Sequence, residues 1–504
     1  MPLAKFQLTI SKNQLRMKKI TLFCFISLLL ICSCKNNDTE VTEKKVITQL
    51  SLSQTQAQLA MGDSLSLILS YTPADLPAPT CTWTSSDTTV ARVDNKGKIK
   101  TVGRGMATIR ATYNYSFSVH CKITVTYKGD GSTSNPYLIY TVADLNAIRD
   151  SINTKNAVYG NKAYKLMNDI TFIEQYTWAA IGTSPSNSFR GVFDGNGKSI
   201  INISLKQYED DKRDALSKAK YSGVFGCIKD ASIKNMNIVW IGQNFVGTPD
   251  TTCYIGGIAG YGSGNISNCH VSGGSFLKLN STTMGYGGGI IGYGIMPVSI
   301  TNCQSECTMW EFNYIGGIAG YIIGNISNCC TANKFLYTQN DLAGGVAGYH
   351  RGTIVNCYSM INNIYGKYKS GGIAGDGGDI INCYAFGAIS GSQISGGIAG
   401  RAVSVTNCLA LTNNVYMYDF TGIASRICSS FISSADTSPN YANSSMTVNS
   451  KLDLSDTRRN GLDLTAQPVD LLNAYVSANP TFNGISLKKW KVTAGVNNGY
   501  PVFE

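Results

Sequence analysis

The chain has 504 residues, with 42 Lys and Arg against 31 Asp and Glu, and only 14% of its residues are charged, well below the ~25% of an ordinary soluble domain. With 52 Gly, 28 Tyr, 12 Pro and a 43% hydrophobic share, it is turn-rich, aromatic and able to fill a core. That excludes global disorder and favours strands over helices. Five of the basic residues (Lys5, Lys12, Arg16, Lys18, Lys19) precede Cys34, and without them the excess is +6, not gathered in one run, so no nucleic-acid partner is expected.

Near the N-terminus, Met17-Lys18-Lys19 leads into the apolar run ITLFCFISLLLI and then Cys32-Ser33-Cys34. A basic start, a short apolar core and small residues before a cut form an export signal. The core is too short to read as a membrane span. Leu30-Ile31-Cys32-Ser33-Cys34 resembles a bacterial lipobox, with Ile31 where Leu is more usual. The resemblance implies a signal peptide over 1–33 and a lipid on Cys34, so that the membrane is a partner through that anchor. A polar tether, 34–46, begins Lys35-Asn36-Asn37-Asp38-Thr39-Glu40. It is similar to the signals that send Bacteroidetes lipoproteins to the outer face of the outer membrane, which implies a cell-surface location.

Residues 47–127 carry short alternating stretches: Leu50-Ser51-Leu52, Leu65-Ser66-Leu67-Ile68-Leu69, Val90-Ala91-Arg92-Val93 and Ala107-Thr108-Ile109-Arg110-Ala111. Period-two alternation broken by polar turns predicts an antiparallel β-sandwich, and Asp94-Asn95-Lys96-Gly97 supplies a hairpin turn needing positive φ. Met61-Gly62-Asp63, Tyr71-Thr72-Pro73-Ala74, Trp83-Thr84-Ser85-Ser86-Asp87 and Gly105-Met106-Ala107-Thr108-Ile109 together resemble the bacterial Ig-like domain, group 2. That resemblance implies a spacer or adhesive module. Cys81 and Cys121 both face its core, either as a disulfide or as two buried thiols.

From there the chain repeats itself. GGIAG or a close variant begins at Gly256, Gly288, Gly316, Gly344, Gly371 and Gly396, with an earlier variant SGVFG at Ser222 and a decayed copy TGIAS at Thr421. A second string, apolar-x-Asn-Cys, follows each full copy, with cysteines Cys269, Cys303, Cys329, Cys357, Cys383 and Cys408; the last four spacings are 26, 28, 26 and 25. That period, with β-branched residues and no amphipathic helix pattern, predicts one coil of a right-handed parallel β-helix per repeat. Ile354 and Cys357 both look like core residues yet are three apart, so the chain must turn between them. Asn356, which tolerates left-handed φ, is the expected corner, with Asn268, Asn302, Asn328, Asn382 and Asn407 stacked above and below it as a hydrogen-bonded ladder. The cysteines are expected to point inward as a structural ladder, with no metal or cofactor, because neither CxxC pairs nor histidine partners accompany them. The repeated strings over 222–428 resemble the GLUG repeat of bacterial surface proteins, also found ahead of the catalytic part of IgA-cleaving metallopeptidases. The peptidase activity is not implied, since no HExxH occurs.

Caps are expected at both ends. Residues 128–221 are assigned to the N-terminal cap and first coils, with a helix N-capped by Thr141 and Asp144 three residues on. Asp169 and Asp194 within it read as turn residues. Residues 429–504 are the C-terminal cap, with a helix at 468–478. The fold class is thus all-β, an Ig-like sandwich followed by a β-helix with small helical caps.

For function, the outward tyrosines are the candidates. Tyr261, Tyr293, Tyr321 and Tyr349 follow GGIAG, and Tyr358 and Tyr384 follow Asn-Cys. Such columns either stack on themselves or offer a platform to a glycan or an extracellular protein. The expectation is a non-enzymatic surface adhesion module. The alternatives are a polysaccharide-degrading lyase or glycosidase on the same fold, which needs paired carboxylates that the coils lack, and a structural spacer. The charge cluster Glu209–Asp214 reads as a solvated loop.

Overall fold

Alternation of small, β-branched and polar residues builds strands throughout the computed structural model. It describes residues 45–504 except 116, 206–219, 247–251, 279–282, 333, 420–421, 434–438 and 450–454, and the side chains of 174–175 and 243–246. Cys34, the Glu209–Asp214 cluster and Thr421 lie outside the described residues. The chain divides into two compact units, Met1–Gln49 with Tyr71–Ala78, and Leu50–Ser70 with Pro79–Glu504. In the first, Thr48 N–H donates to Thr72 O and Lys45 pairs with Asp75.

The second unit opens with the sandwich. One sheet has the order Gln56–Ala60, Phe117–Thr126, Gly105–Tyr113, Thr82–Ser85; the other has Ser64–Ser66, Lys98–Thr101, Ala91–Val93. All pairs are antiparallel except Gln56–Ala60 with Phe117–Thr126. Leu67, Ala91, Ile99, Ala107, Ile109, Cys121 and Ile123 fill the space between. The predicted turn is present: Gly97 has φ +79 and Asp94 Oδ1 accepts from Lys96 N and Lys98 N, both at 2.9 Å. A Cβ at Gly97 would also lie 2.7 Å from the Trp83 ring, so two constraints select glycine.

The disulfide alternative is corrected. Cys81 and Cys121 are free thiols on one sheet, with the Gly105–Tyr113 strand between their strands. Cys121 is level with Ile109 and Ser85, four residues beyond Cys81. Strand rise and spacing put the two roughly 16 Å apart, far past the ~7 Å limit for a disulfide.

The β-helix follows, and its parallel pairing is continuous from Tyr137–Ile139 to Leu462–Asp463. The winding therefore begins inside the segment assigned as a cap and runs past residue 428. Each regular coil has three strands, for example Leu342–Gly344, Ala347–Val355 and Tyr358–Gly366. The strands before each glycine pair form a separate eight-stranded sheet, from Tyr221–Ser222 to Ile423–Ser425. Inside, Ile258, Ile290, Ile318, Val346, Ile373, Ile398 and Ile427 stack in one column, and Ile266, Ile300, Ile326, Ile354, Ile380 and Val405 in another, all fully buried. Each contributes ~1.5–3 kcal/mol, which supports a coil that no isolated repeat could hold.

The glycine string has a steric origin. A Cβ on the first glycine would meet the carbonyl of the alanine three residues on, at 1.9 Å for Gly316 and Gly344. A Cβ on the second would meet the next coil, 2.2 Å from Gly345 O for Gly317. On the third it would meet the preceding coil, 2.7 Å from Gly292 O for Gly320. The same geometry corrects the register of the last copy. Ile423–Ser425 pairs with Ile394–Gly396, and Ala399 pairs with Cys428. The counterpart of GGIAG is thus Ser425–Ser429, not the string beginning at Thr421.

The N-terminal helix, Val142–Thr154, carries the expected capping box between Thr141 and Asp144. At the other end the helix Pro468–Ala478 forms as predicted, but 468–503 does not only close the end. It folds back as an arm along one side of the coils, where Leu472, Val476, Leu487 and Trp490 pack on Cys330, Val355, Tyr358, Tyr384 and Leu409.

Candidate functional site

The asparagine corners are where the sequence placed them. Asn268, Asn302, Asn328, Asn356, Asn382 and Asn407 all have φ between 49° and 55°. Except at Asn328, the carboxamide Nδ2 donates to the Oδ1 one coil back: Asn407 to Asn382 at 2.8 Å, Asn382 to Asn356 at 2.7 Å, Asn356 to Asn328 at 2.8 Å, and Asn302 to Asn268 at 3.0 Å. The row continues from Asn268 to Asn235 and ends on the Asp194 carboxylate at 3.0 Å. Asp194 is thus a terminal acceptor and a turn residue, its Oδ1 also accepting from Asn196 N two residues on, whereas Asp169 accepts from Ser199 N, 30 residues away on the strand Val192–Ser204. The ladder has one break. Asn328 Nδ2 donates to Ser486 O of the arm at 2.8 Å, and Asn302 Oδ1 is left buried without a partner among the described residues.

Behind the asparagines the cysteines stack inward. Each sulfur accepts a backbone N–H from the coil before it: Cys303 N donates to Cys329 Sγ, Cys329 N to Cys357 Sγ, Cys357 N to Cys383 Sγ and Cys383 N to Cys408 Sγ, at 3.3–3.4 Å. Asn440 Oδ1 takes the next place, accepting from Cys408 N at 2.9 Å. Burial pushes the thiols of Cys303, Cys357 and Cys408 well above the ordinary range. Protonated there, these three sulfurs act as packing groups of the column.

The tyrosine candidates divide. Tyr261, Tyr293, Tyr321 and Tyr349 are in register and stack outside the coil, with ring centroids 5.6, 4.5 and 4.5 Å apart. A second column, which the sequence reading missed, runs beside them. Tyr221, Tyr254, Tyr286 and Tyr314 stack at 5.1–5.2 Å with rings within 10° of parallel. The two columns interlock edge to face, Tyr254 with Tyr261 at 5.3 Å, Tyr286 with Tyr293 at 4.9 Å and Tyr314 with Tyr321 at 5.6 Å. Eight half-buried rings make one herringbone surface. Its signal was present as the tyrosine two residues before the first three glycine pairs, Tyr254, Tyr286 and Tyr314. Burial, with neighbouring phenols second, pushes Tyr254 and Tyr321 up to about 12, so the hydroxyls stay protonated donors at neutral pH.

The herringbone ends at an ionic cluster. In the following coils Tyr349 is succeeded by Asp376 and Arg401, and Tyr314 by Leu342 and Lys369. Buried Asp376 accepts from Arg401 Nε and Nη2 at 2.7 Å and from Lys369 Nζ at 2.8 Å. Asp341 beside the Tyr314 hydroxyl is pushed up by burial. At the opposite end Lys220 lies over Tyr221 and Tyr254.

Tyr358 and Tyr384 are corrected as binding candidates. Their rings stack at 5.1 Å but are covered by the arm. Tyr384 is fully buried, with its hydroxyl donating to Pro501 O and accepting from Asn497 Nδ2, and Tyr358 lies against Trp490 and Phe503. No helix among the described residues is long and apolar enough to cross a membrane.

Residues 46–123 match the bacterial Ig-like domain (group 2) family. Among curated proteins, the chain is 29% identical over 170 residues to Halomucin of Haloquadratum walsbyi, covering 32% of this chain and 2% of that protein. It is 47% identical over 57 residues to the 3-O-alpha-D-galactosyl-alpha-L-arabinofuranosidase of Bifidobacterium longum subsp. longum, covering 11% of this chain and 5% of the enzyme. The chain therefore spans only a small fraction of either relative's length. Among solved structures it is similar to a candidate immunoglobulin A1 protease from Bacteroides ovatus, at 22% identity and TM-score 0.41 over 75% of this chain and 94% of that one. It is also similar to an IgA1 protease, at 12% identity and TM-score 0.35 over 81% of this chain and 29% of that one. The protease names of both structures overturn the expectation of a non-enzyme, which is withdrawn; at these scores the likeness carries no reaction to this chain. The chain is an Ig-like domain joined to a β-helix.

Proposed function

We propose that the chain is a recognition protein of the bacterial surface, held to the outer membrane by a lipid on Cys34, whose tyrosine herringbone binds a glycan. One observation carries the reading: eight tyrosines in two interlocked columns form a continuous half-buried face. The rings cover one another's faces, which leaves ring edges to a ligand; the Tyr314 hydroxyl pairs with Asp341, and those of Tyr293 and Tyr321 with each other. The result is a row of phenol donors and acceptors repeating at about the ~4.8 Å strand spacing. A polymer with a hydroxyl on each unit can engage such a row many times over. The ionic cluster at one end and Lys220 at the other supply charge at its limits.

The test is a glycan array probed with the purified chain and with the Tyr261→Ala, Tyr293→Ala, Tyr321→Ala, Tyr349→Ala variant. Loss of a wild-type signal in the variant supports the assignment; undiminished binding refutes it. The anchor is checked by intact mass, since Cys34→Ala abolishes a lipid-sized increment if the cysteine is the acceptor.

A further inference from the structure

A third aromatic column lies on a different strand of the coil, the one after the asparagine corner. Trp310, Tyr337, Tyr365, Ser390 and Tyr416 occupy one register position in successive coils. Trp310 and Tyr337 are 5.5 Å apart, and Tyr337 and Tyr365 stack at 4.8 Å within 20° of parallel. The column is then interrupted for one coil by Ser390. Two residues back the same pattern recurs: Phe335, Asn363, Ala388, Asn414. One coil is therefore small at both outward positions, while its neighbours carry a tyrosine and an asparagine each.

The gap has dimensions. Tyr365 and Tyr416 are two coils apart, about 9.6 Å by strand spacing. That leaves room for one ring at ~3.5–4 Å contact on either side. A ring of this chain already demonstrates the fit: Tyr418 stands edge-on between them, 5.4 Å from Tyr365 and 5.2 Å from Tyr416. It is also weakly held, being 60% exposed, with Tyr416 at 42%. Asn363 and Asn414 are exposed on the flanks of the gap.

We propose that this notch is a second ligand site, taking a single pyranose ring of a glycan that displaces Tyr418. The apolar faces of the sugar pack on Tyr365 and Tyr416, and its hydroxyls pair with the Asn363 and Asn414 carboxamides, which both donate and accept. An aromatic ring would use the walls but leave both carboxamides idle, so the flanking asparagines favour the sugar. The site lies on another strand from the tyrosine herringbone and does not depend on it.

The experiment is titration calorimetry of the full chain with β-linked oligosaccharides of glucose, N-acetylglucosamine and galactose, and with a tyrosine-bearing peptide as comparison. Tyr416→Ala and Asn414→Ala each lower sugar affinity up to ~10-fold, and Tyr418→Ala raises it by removing the competing ring. Ser390→Tyr completes the column, preserves the stacking and abolishes binding, so its loss of affinity is not loss of fold. The herringbone variant keeps this binding, which separates the two sites. Wild-type affinity in Ser390→Tyr, preference for the peptide, or no binding of any of the oligosaccharides overturns the assignment.

Discussion

The asparagine corners make a quantitative prediction because two of them differ in surroundings but not in backbone. Asn356 is fully buried with φ +53. Its Nδ2 donates to Asn328 Oδ1 at 2.8 Å and Lys488 O at 3.0 Å, and its Oδ1 accepts from Asn382 Nδ2 at 2.7 Å and Trp490 Nε1 at 2.9 Å. Asn268 shares the φ but is exposed, with one bond to Asn235 and one from Asn302. Asn356→Ala removes four buried bonds, ~1 kcal/mol each, and puts a Cβ-bearing residue without the asparagine side-chain bonds at left-handed φ, ~1 kcal/mol more, for ~5 kcal/mol. Asn268→Ala costs ~2 kcal/mol on the same reasoning, since water replaces its partners. Asn356→Gly recovers only the ~1 kcal/mol of backbone strain. Repeat folds can open in segments, so the measurement is hydrogen exchange by mass spectrometry on peptides from 485–491, the part of the arm that Asn356 holds. A loss near 5 kcal/mol corresponds to ~5,000-fold faster exchange there. If Asn356→Ala and Asn268→Ala agree within ~1 kcal/mol, the ladder is not what holds the arm.

Other outcomes follow from single environments. Gly317→Ala, whose Cβ would meet Gly345 O at 2.2 Å, destabilises by more than ~3 kcal/mol in thermal melts, whereas Gly484→Ala, with φ +77 and nothing within 4 Å, costs ~1 kcal/mol. Burial lowers the His350 imidazole to about 4, against smaller opposing effects of Asp379 and Asp376. A depressed folded value means its contribution is present above the ordinary value near 6.5 and is lost as pH falls towards 4; His350→Gln flattens the acid limb of a stability-against-pH curve by up to ~3 kcal/mol. Burial raises Cys227 and Cys428 to about 12, so these two thiols resist a reagent at pH 9 in the native chain and react on denaturation, as read by peptide mapping.

How much of this was legible depends on whether a residue's neighbours were copies of itself. Asn356 and Cys357 could be read as corner and core because the next coil supplies the same pair, and stacking identical units fixes both roles. Gly256-Gly257 was recognised as a motif, but its reason appeared only in the structure, where each glycine abuts a different carbonyl. The string at Thr421 misled because it matched in letters while the parallel register placed Ser425–Ser429 opposite GGIAG. Cys121 is buried in the core and Cys81 only half-buried; alternation gives a residue's face but neither its strand's place in the sheet nor its register, which are what separate the two. Tyr254, Tyr286 and Tyr314 stand two residues before the glycines in only three of the six copies, with Leu342, Lys369 and Ile394 in the others, so the offset alone does not mark a column.

The column after Asn-Cys carries the least obvious lesson. It runs His270, Gln304, Cys330, Tyr358, Tyr384, Leu409, Tyr441. Backbone geometry is the same in every coil, so the change from polar to apolar cannot come from the fold's own repeat. It reflects what lies against the column: the Glu306 carboxylate beside the first two members, and over the middle ones the arm's Trp490, Leu472 and Val476. In a solenoid, identity along a column reports the coil, and departure from identity reports a neighbour. By that logic the drop from tyrosine to Ser390 in one column and from asparagine to Ala388 in the next is a departure with no arm residue to account for it, because the ring against it is Tyr418, which is itself mostly exposed. The two small residues are consistent with an external ring, and Ser390→Tyr asks whether the coil can do without the gap.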